Sequence, residues 1–174
     1  MLGSIDAHVI VVGQGFSALD RNGPTLEPDR TIPTNRNRRR LVAEAGIERN
    51  RVHLTNGILR LKPGRSLEAP VRSARFEACR PLLRRTIEVV NPRAVVWLGG
   101  RAWTSVQRAF GLPVGRLARC LGQPPREPEA GPALFAMNHC GGLGLVARPL
   151  RQQVAGWRKL GGRLRARNRA GRTG

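Results

Sequence analysis

Four short runs rich in apolar residues recur along the chain, and each has the length of a buried strand. Strands covered on both faces read as nearly continuous apolar runs, whereas half-buried strands alternate apolar and polar residues. The pattern therefore predicts four strands, at residues 7–12 (AHVIVV), 51–56 (RVHLTN), 94–98 (AVVWL) and 133–137 (ALFAM).

Helical spacing appears between these runs. Residues 75–90 carry apolar side chains every three or four positions, and Asn91-Pro92 ends that pattern. Strands that alternate with helices favour a parallel sheet with helices on both of its faces. We therefore expect an α/β protein, a three-layer α/β/α sandwich with a central four-stranded parallel sheet. Further helices are predicted at residues 35–45, 101–110 and 147–160.

The two ends of the chain differ in composition. Residues 1–160 contain all the predicted strands and helices, so we expect them to form one domain. Residues 161–174 (GGRLRARNRAGRTG) contain five arginines and no acidic residue, a composition typical of a disordered, basic tail.

The excess of basic residues indicates the charge of the binding partner. The chain has 31 Lys and Arg residues against 11 Asp and Glu residues, a formal net charge of +20. A field of this size favours a polyanionic partner, most simply a nucleic acid. No apolar run is long enough to span a membrane, and three widely spaced cysteines without a CxxC pair exclude a zinc ribbon. We expect a monomer in a reducing cytoplasm, with no metal or cofactor and no membrane contact.

The candidate chemistry lies in the segments that follow the strands. In parallel sheets, ligands bind at the carboxyl ends of the strands. Polar or aromatic residues stand there at Gln14, Phe16, Asn56 and His139. The first of these segments, residues 13–20, begins with Gly-Gln-Gly-Phe, which has neither the G-x-G-x-x-G nor the P-loop spacing, so a phosphate-binding loop is disfavoured.

The order of these segments resembles the uracil-DNA glycosylase superfamily. The resemblance covers roughly residues 7–160 and rests on five segments taken together, since each alone is weak. They are VVGQGF, IPTNRNRRRLVAEAGI, VHLTNGILRLKP, CRPLLRRTIEVVNPRAVVWLGGRAW and AMNHCGG.

The resemblance implies roles for the first segment. Gly13, Gln14 and Gly15 match the motif that contacts the base and places the attacking water, and Phe16 can replace an aromatic stacking residue that the family usually has near residues 33–35. Several branches carry Asp or Asn at the position of Gly15, where the side chain directs the water. Asp20 is the candidate to replace that side chain, with Asp6 a weaker one.

The resemblance also implies roles for two later residues. Asn56 matches the asparagine that reads the base edge, since an amide offers both a donor and an acceptor. His139 matches the histidine that stabilises the departing base anion, whose charge develops in the transition state. The family's usual His-Pro-Ser is His139-Cys140-Gly141 here, which departs from the pattern. Taken without the resemblance, Asn56 can cap backbone groups, His139 can be structural, and the glycines can serve a tight turn.

The implied activity is that of a monofunctional DNA glycosylase of base-excision repair, associated with the bacterial nucleoid and acting on DNA that contains a damaged or deaminated base such as uracil. Two other interpretations stay open: a DNA-binding member of the fold with weakened catalysis, and a small nucleotide-binding α/β protein. Basic residues are the candidates for phosphate contacts, although they can equally form a solvated surface. They are Arg36, Arg38, Arg60, Lys62 and Arg65.

Overall fold

The structure is a computed structural model of the 174-residue chain. It describes residues 3–16, 31–61, 73–113, 115–123, 125 and 131–170.

One four-stranded parallel sheet forms the centre of the fold. Its strand order is β2-β1-β3-β4, so β2 and β4 are the two edge strands. The order confirms the predicted parallel sheet, and the last two strands have the predicted bounds. The strands are β1 (Val9–Phe16), β2 (Val52–Leu61), β3 (Ala94–Leu98) and β4 (Ala133–Met137).

Helices cover both faces of this sheet and complete the three layers. Helices α1 and α6 pack on one face and helices α2 and α3 on the other, which confirms the predicted sandwich. The described helices are α1 (Pro33–Glu44), α2 (Ser73–Val90), α3 (Gly100–Ala109), α4 (Leu117–Cys120), α5 (Gly142–Ala147) and α6 (Leu150–Ala170), with one 3₁₀ turn at Arg49–Arg51. None of the helices in these ranges combines the length and apolar character that crossing a bilayer requires.

Alternation along β1 divides the core into two apolar clusters. Val9 and Val11 point toward α1 and α6, whereas Ile10 and Val12 point toward α2 and α3. All four are at most 2% exposed. The three tryptophans are buried and belong to these clusters: Trp97 and Trp103 on the α2/α3 face, Trp157 on the α1/α6 face.

The first two strands are longer than predicted. The sequence predicts that β1 ends at residue 12 and that a loop follows, because Gly13 and Gly15 usually mark turns. Instead Gly13 pairs with Asn56 and Gly15 with Ile58 in the parallel ladder, with an irregularity before Phe16. Ladder hydrogen bonds use the backbone alone, so glycine does not prevent them. The strand β2 likewise continues past its predicted end to Leu61.

The last helix is also longer than predicted, and the prediction of a disordered tail from residue 161 is wrong for residues 161–170. Helix α6 continues through the Gly161-Gly162 pair to Ala170. The backbone of Gly161 packs against the Ala45 carbonyl at the end of α1, and the Arg165 guanidinium donates a hydrogen bond of 3.2 Å to the same carbonyl. The pair of glycines therefore marks a close crossing of α1 and α6. In the sequence, the same pair is typical of a helix end.

Substitution of the two adjacent glycines tests this crossing. A methyl group at Gly161 would overlap the Ala45 carbonyl oxygen, whereas one at Gly162 would meet no atom within 4 Å. We expect Gly161→Ala to lower the free energy of unfolding by about 1–3 kcal/mol through overpacking. The matched control Gly162→Ala should raise it by up to about 1 kcal/mol through helix propensity. Urea denaturation measures both, and equal effects of the two variants would contradict the crossing.

Candidate functional site

The strand register brings the second and fourth strands' candidate residues to the same end of the sheet. Asn56 pairs with Gly13, and one residue earlier Val12 pairs with both Thr55 and Trp97. Trp97 in turn pairs with Ala136 of β4. Asn56 is therefore level with the last residue of β4, and His139 follows two residues beyond it.

Asn56 and the segment that holds His139 both lie on the α1/α6 side of the sheet. Asn56 pairs with Gly13, which alternation assigns to the α1/α6 face with Val9 and Val11. His139 is two positions after Met137, whose side chain belongs to the apolar cluster on that same face. Because β2 and β4 are three strand spacings apart, their backbones are about 14 Å from each other. Asn56 and His139 therefore stand on the two edge strands' sides of the sheet, at the same end of it.

A glycine lies next to each of those two side chains. A Cβ atom on Gly13 would lie 2.5 Å from Asn56 Oδ1, so the amide packs directly over the glycine backbone. On the next strand Gly99, with φ of 95°, has a conformation that favours glycine, and a Cβ there would lie 3.5 Å from His139 Cβ. The absence of a side chain at Gly13 therefore leaves room for the Asn56 amide.

The His139 imidazole has a defined orientation in the segment between β4 and α5, residues 138–141. The Gly141 backbone N–H donates a hydrogen bond of 3.2 Å to His139 Nδ1. A nitrogen that accepts a hydrogen bond carries no proton, so in the neutral ring the proton is on Nε2. The half-buried ring thus presents an N–H donor on its far side.

The neighbouring thiol has a packing role. Cys140 is fully buried, and its Sγ is 3.5 Å from the Thr34 carbonyl oxygen, to which the thiol donates. Burial raises the pKa of the Cys140 thiol to about 11, although the nearby Arg38 charge opposes that shift. The thiol stays protonated at neutral pH and is not a nucleophile.

The first segment contributes less than its resemblance implies. Gln14 follows Gly13 in β1, so alternation assigns its side chain to the α2/α3 face, away from Asn56. Gly15 is part of the strand ladder and has no side chain to direct water. Asp6 precedes β1, at the opposite end of the strands from Gly13, which excludes it as a replacement. The Phe16 side chain and Asp20 lie outside the described residues.

The structure describes the side chains of two of the predicted phosphate-contact residues, and the two differ in exposure. Arg36 is exposed near the start of α1. Arg38 is only half exposed, and its charge acts on the Cys140 thiol, so it lies beside the residue 138–141 segment. The Arg60 side chain, Lys62 and Arg65 lie outside the described residues.

Three residues that the sequence did not single out contact this segment. Thr34 and Asn37 are one helical turn apart on α1 and face residues 140–141, and Gln153 of α6 bonds to the His139 carbonyl oxygen. One of them had a signal in the sequence: Gln153 stands at a core-facing position beside Val154 and Trp157, where a polar residue is unusual.

Comparison with known families covers most of the chain. Residues 2–160 match the family model of the Uracil DNA glycosylase superfamily. The chain belongs to the uracil-DNA glycosylase superfamily. Among curated proteins no match was found. Superfamily membership places the chain among proteins that are generally hydrolytic glycosylases acting on DNA, and it confirms the resemblance read from the sequence.

Adding one methyl group at Gly13 tests whether the Asn56 amide packs on the Gly13 backbone in this superfamily member. In Gly13→Ala the methyl would displace the Asn56 amide, which is the end of a flexible side chain, so the fold should tolerate it. We expect the free energy of unfolding to stay within about 1 kcal/mol of the parent's, since glycine in a strand loses more backbone entropy on folding than alanine does. The Asn56 side-chain NH₂ resonances in a ¹⁵N–¹H NMR spectrum should shift, whereas in Gly162→Ala they should not. Unshifted Asn56 resonances in Gly13→Ala would contradict the fit.

Proposed function

We propose that the protein is a monofunctional DNA glycosylase of base-excision repair, which hydrolyses the N-glycosidic bond of uracil or a related deaminated base. The target nucleotide is flipped out of DNA into the gap between Asn56 and His139. Superfamily membership supports the reaction class. The observation that carries the proposal is the hydrogen bond from the Gly141 N–H to His139 Nδ1, because it puts the proton of the neutral imidazole on Nε2.

The two side chains divide recognition and catalysis in this proposal. The Asn56 amide pairs with the N3–H and O4 of uracil, which distinguishes uracil from cytosine by exchanging a donor for an acceptor. His139 Nε2–H donates to O2. As water attacks the sugar carbon and the C1′–N1 bond breaks, the electron pair of that bond moves onto the base, and O2 becomes the negative end of the departing anion. A donor fixed before the reaction lowers the energy of that state more than it lowers the energy of bound substrate.

Charge supports the choice of substrate. The formal net charge of +20 favours a polyanion, and exposed Arg36 stands on the helix whose first turn borders the residue 138–141 segment. Arginine binds phosphate through two parallel hydrogen bonds, which holds a nucleic-acid backbone in register without reading its sequence.

Excision of the base from synthetic oligonucleotides tests the proposal. The purified protein should release uracil from a single- or double-stranded oligonucleotide, leaving an abasic site that alkali cleaves. His139→Ala should lower kcat by about 100- to 1,000-fold, the usual cost of losing a fixed donor to a developing anion. His8→Ala, which removes a histidine at the opposite end of β1, is the matched control and should leave kcat unchanged.

The strand position of Gly15 favours a second candidate function, a DNA-binding protein of the same fold with weakened catalysis. No side chain at this position can direct the water. Absence of base release by the wild-type protein from uracil, hypoxanthine and xanthine substrates, together with salt-dependent DNA binding, would support this candidate and exclude the glycosylase.

A further inference from the structure

Two side-chain amides hold the residue 138–141 segment from opposite directions. Asn37 of α1 donates from Nδ2 to the Cys140 carbonyl oxygen, at 2.9 Å. Gln153 of α6 donates from Nε2 to the His139 carbonyl oxygen at 3.4 Å and to the Arg148 carbonyl oxygen at 2.8 Å. The two acceptors belong to successive peptide groups of one segment.

Those two peptide groups are the ones that separate His139 from Gly141. The hydrogen bond from the Gly141 N–H to His139 Nδ1 closes a small ring through them. Rotation of either peptide plane would swing the Gly141 N–H away from the imidazole. Fixing the two carbonyl oxygens therefore fixes the N–H donor, and through it the ring nitrogen that carries no proton.

Core packing alone does not account for Gln153. The residue is 4% exposed and stands beside Val154 and Trp157 in the core. Its Oε1 has no hydrogen-bond partner among the described residues. Burying an amide with one polar atom unsatisfied costs free energy, so an apolar residue would stabilise this position more. The amide is explained instead by the carbonyl oxygens to which its Nε2 donates.

Further contacts between α1 and the residue 138–141 segment add to the hydrogen bond that Asn37 donates. Thr34, one turn earlier on the helix, accepts from the Cys140 thiol through its carbonyl oxygen. Its hydroxyl side chain occupies the space that a Cβ on Gly141 would need. Helix α1 is itself anchored in the core by Leu41, which is fully buried, so the segment rests on a rigid element.

We propose that Asn37 and Gln153 are positioning residues that hold the His139 imidazole with Nδ1 as acceptor and Nε2–H as donor. The proposal rests on the function proposed above for its effect on rate, but its effect on the imidazole is independent of that function.

Isosteric variants with matched controls separate positioning from stability. Asn37→Asp replaces the Nδ2 donor with an oxygen that repels the Cys140 carbonyl, and Asn50→Asp, at an exposed position of the 3₁₀ turn, controls for the added charge. Gln153→Leu removes the donor from the core, and Gln152→Leu makes the same change at the exposed neighbouring position. Circular dichroism and thermal melting establish that each variant is folded.

Imidazole nitrogen shifts give the readout that does not depend on activity. In the wild-type protein, long-range ¹⁵N–¹H NMR spectra should show His139 with an unprotonated Nδ1 and a protonated Nε2. In Asn37→Asp and Gln153→Leu the two nitrogen shifts should move toward each other, because both tautomers become populated. The two control variants should keep the wild-type shifts.

Kinetics give the second readout. Each positioning variant should lower kcat about three- to tenfold with KM nearly unchanged, the size expected for one hydrogen bond. In a His139→Ala background neither variant should lower kcat further, because residues that act through His139 are not additive with its loss.

Two results would overturn the positioning role. One is an unchanged set of His139 nitrogen shifts in both folded variants. The other is a kcat loss that persists in full in the His139→Ala background. A wild-type protein that releases no base would count against the proposed function alone, since the nitrogen shifts still decide whether Asn37 and Gln153 orient the ring.

Discussion

Strand β1 is hydrogen-bonded on both sides, and this double pairing is the constraint on which the rest of the structure depends. Residues 9–12 bond to β2 on one edge and to β3 on the other, and all are buried. A slip of one residue would exchange the side chains of the two faces and bury the wrong set. The register thereby fixes Asn56 at one edge of the sheet, and through β3 and β4 it fixes His139 at the other.

Glycine has the same physical use at each point where two parts of this site meet. Gly13 lets the Asn56 amide lie over the β1 backbone, and Gly141 lets Thr34 of α1 approach the His139 segment. Gly144, in the first turn of α5, is packed so closely against the His139 carbonyl that a Cβ would overlap it. These contacts bring neighbouring elements close to Asn56 and to the His139 segment. Gly15 also lies in the β1 ladder and has no side chain that could direct water.

The sheet could be predicted because each of its strands contains an apolar run in the sequence. β3 and β4 were predicted with their observed bounds, since each run ends where polar residues or glycine begin. β1 and β2 were predicted too short because Gly-Gln-Gly and Thr-Asn-Gly usually indicate turns, whereas here their backbones continue the ladder. The length of α6 was missed for a related reason. A glycine pair within a basic segment has little apolar signal for a helix, whereas in the fold Gly161 packs against the Ala45 carbonyl and Leu164 against the core.

Parts of the site could be predicted and parts could not. The rule that ligands bind at the carboxyl ends of parallel strands brought Asn56 and His139 together without any knowledge of side-chain contacts. The same rule could not assign Gln14 to a face, because that requires knowing that residue 14 continues the strand. Asn37 and Gln153 act through hydrogen bonds to carbonyl oxygens distant in sequence, and a sequence does not record which carbonyl an amide will meet.

In the function we propose, Asn56 and His139 contact one base from opposite edges of the sheet. A crystal structure of the protein soaked with free uracil is the sharpest test of this arrangement. We expect uracil between the two side chains, with N3–H and O4 on the Asn56 amide and O2 within hydrogen-bonding distance of His139 Nε2. Uracil bound elsewhere on the protein, or bound with His139 Nδ1 turned toward it, would overturn this arrangement.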